Sequence, residues 1–270
     1  MYITKTQRKV SEIMEQIRAY FKRLGLPEDL EVTKTYEFLK ALQYAHVTTV
    51  PYENLDILAG KPLSMKWDDL YDKIVTRRMG GYCFELNGAL SYLLKALGFE
   101  VENYFGRYLR GEKEIPVRRH RVLAVKTEDG VYMCDTGIGE KAPRLPLLLK
   151  EGVIQEQCGE TYRFDRDEEL GWVLSDLHKG EWRRFFSFTE EKQLDIDFDH
   201  ASYWCEKHED SPFNKTYMIA MKTANGRKTL DGLVYKEFTG DELTKLYEAA
   251  DDAEAKEIMK REFGLEACKK

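Results

Sequence analysis

The chain has 270 residues, 43% of them hydrophobic and 33% charged, which suits one large soluble domain or a few small ones sharing a core. Its formal charge of −6 excludes broad nucleic-acid binding, which needs a surplus of Lys and Arg against the phosphates, yet leaves room for a local basic pocket. Five cysteines (Cys83, Cys134, Cys158, Cys205 and Cys268) at irregular spacing fit a reducing compartment better than a disulfide framework; with no export signal, the expected location is cytoplasmic.

The opening stretch to Leu26 carries Ile13, Ile17, Tyr20, Phe21 and Leu24 at helical spacing and predicts an amphipathic helix. Glu12 and Glu15 interrupt its basic face, which argues against membrane docking, and no run reaches the ~18 apolar residues of a membrane span. A second helix is predicted in TKTYEFLKALQYAHVTTV, with Phe38, Leu39, Leu42 and Ala45 as its stripe and Pro51 ending it. A short helix follows in SMKWDDLYDKIVTRR with Ser64 as N-cap. A longer one runs from Phe84 through Leu86, Leu90, Leu93, Leu94 and Leu97, stopped by Gly98.

From there the texture changes to strands. VENYFGRYLRG, HRVLAV, ETYRFDRD and GWVLSDLHKGEWRRFFSF are rich in Val, Tyr, Leu and Phe, punctuated by Gly and Asp. A hairpin is predicted about Asp129-Gly130, a pair suited to a tight turn, and another about Asn225-Gly226. The chain should close with a helix starting near Thr239. The pattern implies a helical first part (residues 1–98), a β-rich sheet or barrel (99–200) and an α/β last part (201–270), without flexible linkers.

Gly80 and Gly81 suit a sharp turn, so Cys83 falls at the start of the long helix. There the unpaired N–H groups and the dipole favour a thiolate, and the glycines would let N–H groups approach a reacting carbonyl. Most cysteines are inert buried ones, and Cys83 needs a base to be more. His120 opens a strand, and Asp135 ends the hairpin's second strand. With the turn at Asp129-Gly130, His120 would face about residue 139, and a bulge or bend would bring Asp135 near. His120 alone is a residue of a basic loop and Asp135 alone a turn residue; thiol, imidazole and carboxylate together form an activated nucleophile, its base and an orienter. His46 reads as a core helix residue. Cys205 and His208 are too few to make a metal site, and no metal is expected.

Over nearly its whole length the chain resembles the arylamine N-acetyltransferases, through YFKRLGL, VPYENLDI, GGYCFELNGALSYLLKALGFEV, HRVLAV, CDTGIGEKAP, SPF at Ser211–Phe213 and REFGL. The resemblance implies an α+β three-part fold of helical bundle, β-barrel and α/β lid, with a cysteine-protease-like Cys-His-Asp core. Cys83 would take acetyl from acetyl-CoA, the acyl-donor substrate, with His120 as base and Asp135 as orienter. A small aromatic amine, hydrazine or hydroxylamine would then attack in a ping-pong cycle of xenobiotic metabolism. Tyr52 and Ile138 would line the acceptor pocket, at places where the family usually has Phe and an aromatic residue. Met79 stands where the family has an Arg that pairs with the glutamate here numbered Glu53. ANGRKTLDG is the nearest basic, glycine-containing stretch for the donor, and it also reads as a plain hairpin turn.

Residues alone do not separate an amine acceptor from water. The alternatives are an acyltransferase or amide synthase using another acyl-CoA or a carrier thioester, a thiol hydrolase on the same triad, or a scaffold with an inert Cys83. The oligomeric state is open.

Overall fold

A computed structural model describes residues 5–266; Cys268 and the first four residues of the predicted opening helix lie outside them. The apolar stripe around Ile17, Tyr20, Phe21 and Leu24 closes α1 (Lys5–Arg23) onto α2 (Tyr36–Thr49), whose Phe38, Leu39 and Leu42 share the same cluster. Thr35 caps α2 by accepting the Phe38 N–H (3.4 Å), and Val50, extended before Pro51, ends it. A short α3 (Leu55–Leu58) precedes α4 (Trp67–Tyr71), which widens into a π-turn over Asp72–Thr76. Ser64 is not the N-cap of α4. Lys66 holds that place, because the Ser64 hydroxyl is drawn aside to donate to Asp69 Oδ2 (2.6 Å). The central helix α5 (Cys83–Ala96) buries Leu86, Leu90, Leu93 and Leu94, and its chain exits through Gly98 at φ 85°.

The middle of the chain forms one antiparallel sheet of eight strands in the order β4-β3-β2-β1-β8-β7-β6-β5. Its first members are β1 (Glu100–Tyr108), β2 (His120–Lys126), β3 (Val131–Cys134) and β4 (Leu147–Leu148). The others are β5 (Ile154–Gln157), β6 (Glu160–Asp167), β7 (Gly171–His178) and β8 (Glu181–Phe188). Inward aromatics from β1, β6 and β8, Tyr104, Phe164, Phe186 and Phe188 among them, fill its interior. Glutamine side chains close most of the gap between the edge strands. Gln155 exchanges two hydrogen bonds with the Leu148 backbone (2.7 and 2.9 Å), and Gln157 does the same with Leu145 (2.6 and 2.9 Å). The sheet is thus nearly a barrel, and α5 packs on its β1 and β2.

The β2–β3 hairpin is present with a different turn. Leu123 faces Cys134 and Lys126 faces Val131, so the loop spans four residues, 127–130, with the Thr127 N–H and hydroxyl both on Gly130 O (2.8 and 3.1 Å). The register therefore lies two residues from the expected one, and His120 extrapolates to Gly137 instead of residue 139. The bonds between Thr127 and Gly130 O close the turn about Glu128-Asp129, one residue earlier than expected, which accounts for the shift.

The last part holds a second sheet, β12-β11-β10-β9, from β9 (Met218–Lys222), β10 (Gly226–Asp231), β11 (Val234–Thr239) and β12 (Glu242–Glu248). A helix does not begin near Thr239. Leu243, Leu246 and Tyr247 imitate a helical stripe, but Gly240 at φ 56° turns the chain back and β12 pairs with β11. The helix starts later, as α7 (Asp252–Phe263), where Asp251 accepts the Glu254 N–H (2.9 Å). It packs Ile258, Met259 and Phe263 against Ile219, Leu230 and Tyr235 of the sheet. Tyr52 joins the two halves of the molecule: it bridges Gly81 on one side and Ala220 of β9 on the other (N–O 2.8 and 3.0 Å).

Candidate active site

Cys83 is the first residue of α5, after N-cap Tyr82, and its exposure is 3%. Glu85 accepts the Tyr82 N–H (3.1 Å) and so fixes the first turn. Of the two glycines before it, Gly81 does not serve as a free donor. Gly81 N–H is committed to Pro51 O (3.3 Å), and a Cβ at Gly80 would lie 2.0 Å from that same oxygen. Their role is close approach of the Pro51–Glu53 segment to the nucleophile turn.

His120 and Asp135 come together without a bulge. In the observed register Asp135 follows Cys134, diagonal to His120 on one face of the sheet, and His120 Nε2 lies 2.5 Å from Asp135 Oδ2. The carboxylate is fully buried. Its other oxygen, Oδ1, accepts from Asn87 Nδ2 (2.9 Å) and the Gly137 N–H (2.8 Å), while its own N–H donates to Gln43 Oε1 (3.1 Å). Asn87 sits one helical turn after Cys83 and is fully employed: it also donates to Arg121 O (2.7 Å) and accepts from Thr136 N–H (2.8 Å) and hydroxyl (3.1 Å). Sequence reading passed over Asn87 and Gln43. The available clue was a polar residue on an otherwise apolar helix face.

Cys83 and His120 line one cavity of about 440 Å³, closed on the far side by β10 and β11. Tyr52 and Ile138 line it as well, as do Phe213 of the SPF motif and Tyr108 and Phe238, to which sequence reading had given no role in a pocket. The Asn225-Gly226 stretch is a hairpin loop, and the strand after it sends Arg227 and Thr229 into the cavity wall. Arg227 is already engaged, with Glu140 Oε2 (2.8 Å), Gly240 O (3.0 Å) and the ring of Phe238. His46 is a core residue on Tyr20 OH (2.9 Å), and burial lowers its pKa to about 3. His208 stacks on Trp204, and no cluster of three or more His, Cys, Asp or Glu side chains able to hold a metal occurs among the described residues.

Burial pushes Cys83 well above its ordinary pKa, Cys205 and Asp135 add to the rise, and the backbone N–H groups of Phe84 and Arg121 only partly offset it. The first-turn N–H groups thus stabilise the charged form only in part, and a base that takes the thiol proton would supply the rest.

Gly137 brings the Asp135 loop hard against the nucleophile turn. A Cβ there would meet Cys83 Cα at 2.6 Å, Cys83 O at 3.0 Å and Asn87 Nδ2 at 3.1 Å. Two of those atoms are backbone and cannot swing away. Gly137→Ala is therefore expected to displace the nucleophile turn, with turnover down about 100-fold and melting lowered by several degrees. Steady-state kinetics beside a thermal melt check this; a variant within threefold of the parent would show that the turn yields freely.

A family model described as N-acetyltransferase matches residues 35–270. The arylamine N-acetyltransferase of Mycolicibacterium smegmatis is 36% identical over 219 residues, 79% of this chain and 78% of that protein. That of Mycobacterium tuberculosis H37Rv is 33% identical over 257 residues, covering 92% and 89%. Among solved structures, the arylamine N-acetyltransferase of Salmonella typhimurium superposes with a TM-score of 0.87 at 28% identity, over 93% of this chain and 91% of that one. The Mycobacterium marinum enzyme in complex with CoA gives 0.85 at 30% identity, over 92% of each. No helix among the described residues is long and apolar enough to cross a membrane. By sequence along most of its length and by fold, the chain belongs to the arylamine N-acetyltransferase family.

Proposed function

We propose that the chain transfers acetyl from acetyl-CoA to arylamines, arylhydrazines or arylhydroxylamines through a thioester on Cys83. The observation that carries the mechanism is the His120–Asp135 contact with Asp135 Oδ1 locked by Asn87 and Gly137, opening on the cavity of Cys83. With Nε2 taken by the carboxylate, Nδ1 is the nitrogen that accepts the thiol proton. The thiolate attacks the acetyl carbonyl, the C–S bond to CoA breaks, and CoA leaves with the proton from the imidazolium. An amine then attacks the Cys83 thioester, gives its proton to His120, and the amide departs as the thiol is restored.

Acetyl-CoA as donor is supported by the Mycobacterium marinum relative's complex with CoA. Hydroxylamine acceptors are supported by a Salmonella typhimurium relative, 28% identical, named also as an N-hydroxyarylamine O-acetyltransferase. Tyr52 and Ile138 are the acceptor-side walls in this reading; the Tyr52 ring packs 3.4 Å from where a Gly139 Cβ would stand. Residues 1–98 supply the nucleophile, 99–200 the base and its orienter, and 201–270 the lid. The reaction is placed in the cytoplasm, acting on xenobiotic amines.

The test is intact-mass spectrometry after mixing the protein with acetyl-CoA and no amine. One acetyl increment, discharged by added arylamine, is the expected result. No increment with acetyl-CoA, propionyl-CoA or a carrier thioester would remove the acyl-transfer reading.

A further inference from the structure

Beside the nucleophile turn lies a group of charges that the triad chemistry does not use. Lys73, in the π-turn and 4% exposed, extends its ammonium to Glu85 Oε1 (2.8 Å), Asp56 Oδ2 (3.1 Å) and Glu53 Oε1 (3.3 Å). Each carboxylate has a second task. Glu85 Oε2 holds the N–H of Tyr82 (3.1 Å), the residue before Cys83. Glu53 Oε2 holds the Leu55 N–H (2.6 Å), next to the Tyr52 bridge. Asp56 also pairs with Lys61 (2.9 Å). The carbonyl of Lys73 accepts the Met79 N–H (3.0 Å), so its backbone steadies the approach to the glycines as well.

The family resemblance would have an arginine at position 79 reach Glu53. Here Met79 is buried in the apolar cluster of Ile219, Leu230 and Met259 and brings no charge. Arg23 is no replacement, since its guanidinium is spent on the carbonyls of Thr49, Ile74, Arg78 and Met79. Among the described residues Lys73 is the cation paired with Glu53. We propose that Lys73 is a positioning residue for Cys83, tying the Glu53 segment, α3 and the first turn of α5 into one buried unit that holds the thiol in line with His120. This rests on the reading of Cys83 as the acyl carrier.

The cluster's charge balance supplies a readout that mere packing lacks. Facing Lys73 are Glu53 from the segment before α3, Asp56 from α3 and Glu85 from α5; Lys61 faces Asp56, and the Tyr82 phenol lies near Glu85. Burial pushes the Glu85 carboxyl up to about 7, with Lys73 pulling it down and Glu53 raising it. A carboxylate held above its ordinary range stabilises the fold below its unfolded pKa and loses that contribution as pH rises through about 7. Removing Lys73 leaves three buried carboxylates without their shared cation, so that their mutual repulsion is felt at pH 8.5 and is relieved at pH 6, where Glu85 takes up a proton.

The measurement is the rate of Cys83 acetylation by acetyl-CoA, read by intact mass, for the parent, Lys73→Met and Lys73→Met/Glu85→Gln. Lys73→Met is expected to be at least tenfold slower at pH 8.5 and clearly less impaired at pH 6, with the half-saturating acetyl-CoA concentration within threefold of the parent. Adding Glu85→Gln, whose amide still accepts from Tyr82, should return at least threefold at pH 8.5. Equal loss at both pH values with no gain from Glu85→Gln, or a Lys73→Met rate within threefold of the parent throughout, overturns the proposal. Should Lys73→Met not fold, the double variant decides: folded and at least threefold slower than the parent at pH 8.5 supports the role, and a rate within threefold of the parent overturns it. A parent that takes no acetyl would fault the acyl-carrier reading instead.

Discussion

Cys83→Ala is expected to abolish acetyl transfer, on the order of 10⁶-fold as for loss of a nucleophile that acts with its triad, and to leave the fold in place. Among the described residues no other thiol can stand in. Cys134 is buried in the first apolar cluster, and burial raises its pKa far above the ordinary range. Cys205 lies on α6 (Phe198–Lys207), where burial takes it up to about 12. Cys158 is exposed and lines a different pocket, in the turn between β5 and β6. Among the described residues only Cys83 shares a cavity with His120. The fold should survive because the change removes one small atom from a cluster built of Ile57, Tyr82, Phe84 and Phe198, a loss of about 1 kcal/mol, near that of one buried methylene. Intact mass with acetyl-CoA, steady-state turnover and a thermal melt decide it. Turnover without an acetyl-enzyme would mean direct transfer from donor to amine within a ternary complex.

The nucleophile was legible in the sequence because turn, thiol and helix lie in one continuous stretch, where glycine, spacing and helix periodicity agree. His120 and Asp135 were legible as strand ends, but their meeting was not, since it depends on a register that Thr127 sets by closing a four-residue loop. The close approach at Gly80 was hidden for a related reason: what comes near it, the Pro51 carbonyl and Glu53, lies elsewhere in the chain. β12 was hidden by an accident of spacing: Leu243, Leu246 and Tyr247 fall as on a helix, although all seven residues of that edge strand are exposed and no apolar face is buried. Lys73 was out of reach altogether. A lysine in a helical run is ordinarily a solvated one, and only the convergence of Glu53, Asp56 and Glu85 from three elements makes burial of its ammonium tolerable.

Asp135→Asn should slow acetylation of Cys83 by about 10³- to 10⁴-fold while barely changing the size or shape of the side chain. The reason lies in which end of the amide can go where. Oδ1 is held by two donors, Asn87 Nδ2 and the Gly137 N–H, so the oxygen of an asparagine must occupy that position. Turning the amide over would set its NH₂ against both, leaving two buried donors unpaired, at a cost of about 1–3 kcal/mol each. The NH₂ is thereby forced to the Oδ2 site, facing His120 Nε2. A donor there requires Nε2 to accept, which puts the ring proton on Nδ1, the nitrogen needed to take the proton from Cys83. Burial has already made the thiol reluctant to ionise, so no alternative thiolate supply compensates. Asp135→Ala offers the contrast: it removes the orienter without dictating a tautomer, and should be less impaired than Asp135→Asn if its cavity admits water to Nε2. The checking measurement is the single-turnover acetylation rate of both variants at saturating acetyl-CoA, with ¹⁵N spectra of His120 to read the tautomer. Asp135→Asn within tenfold of the parent, or an Nε2–H ring in that variant, would mean that another group orients the imidazole.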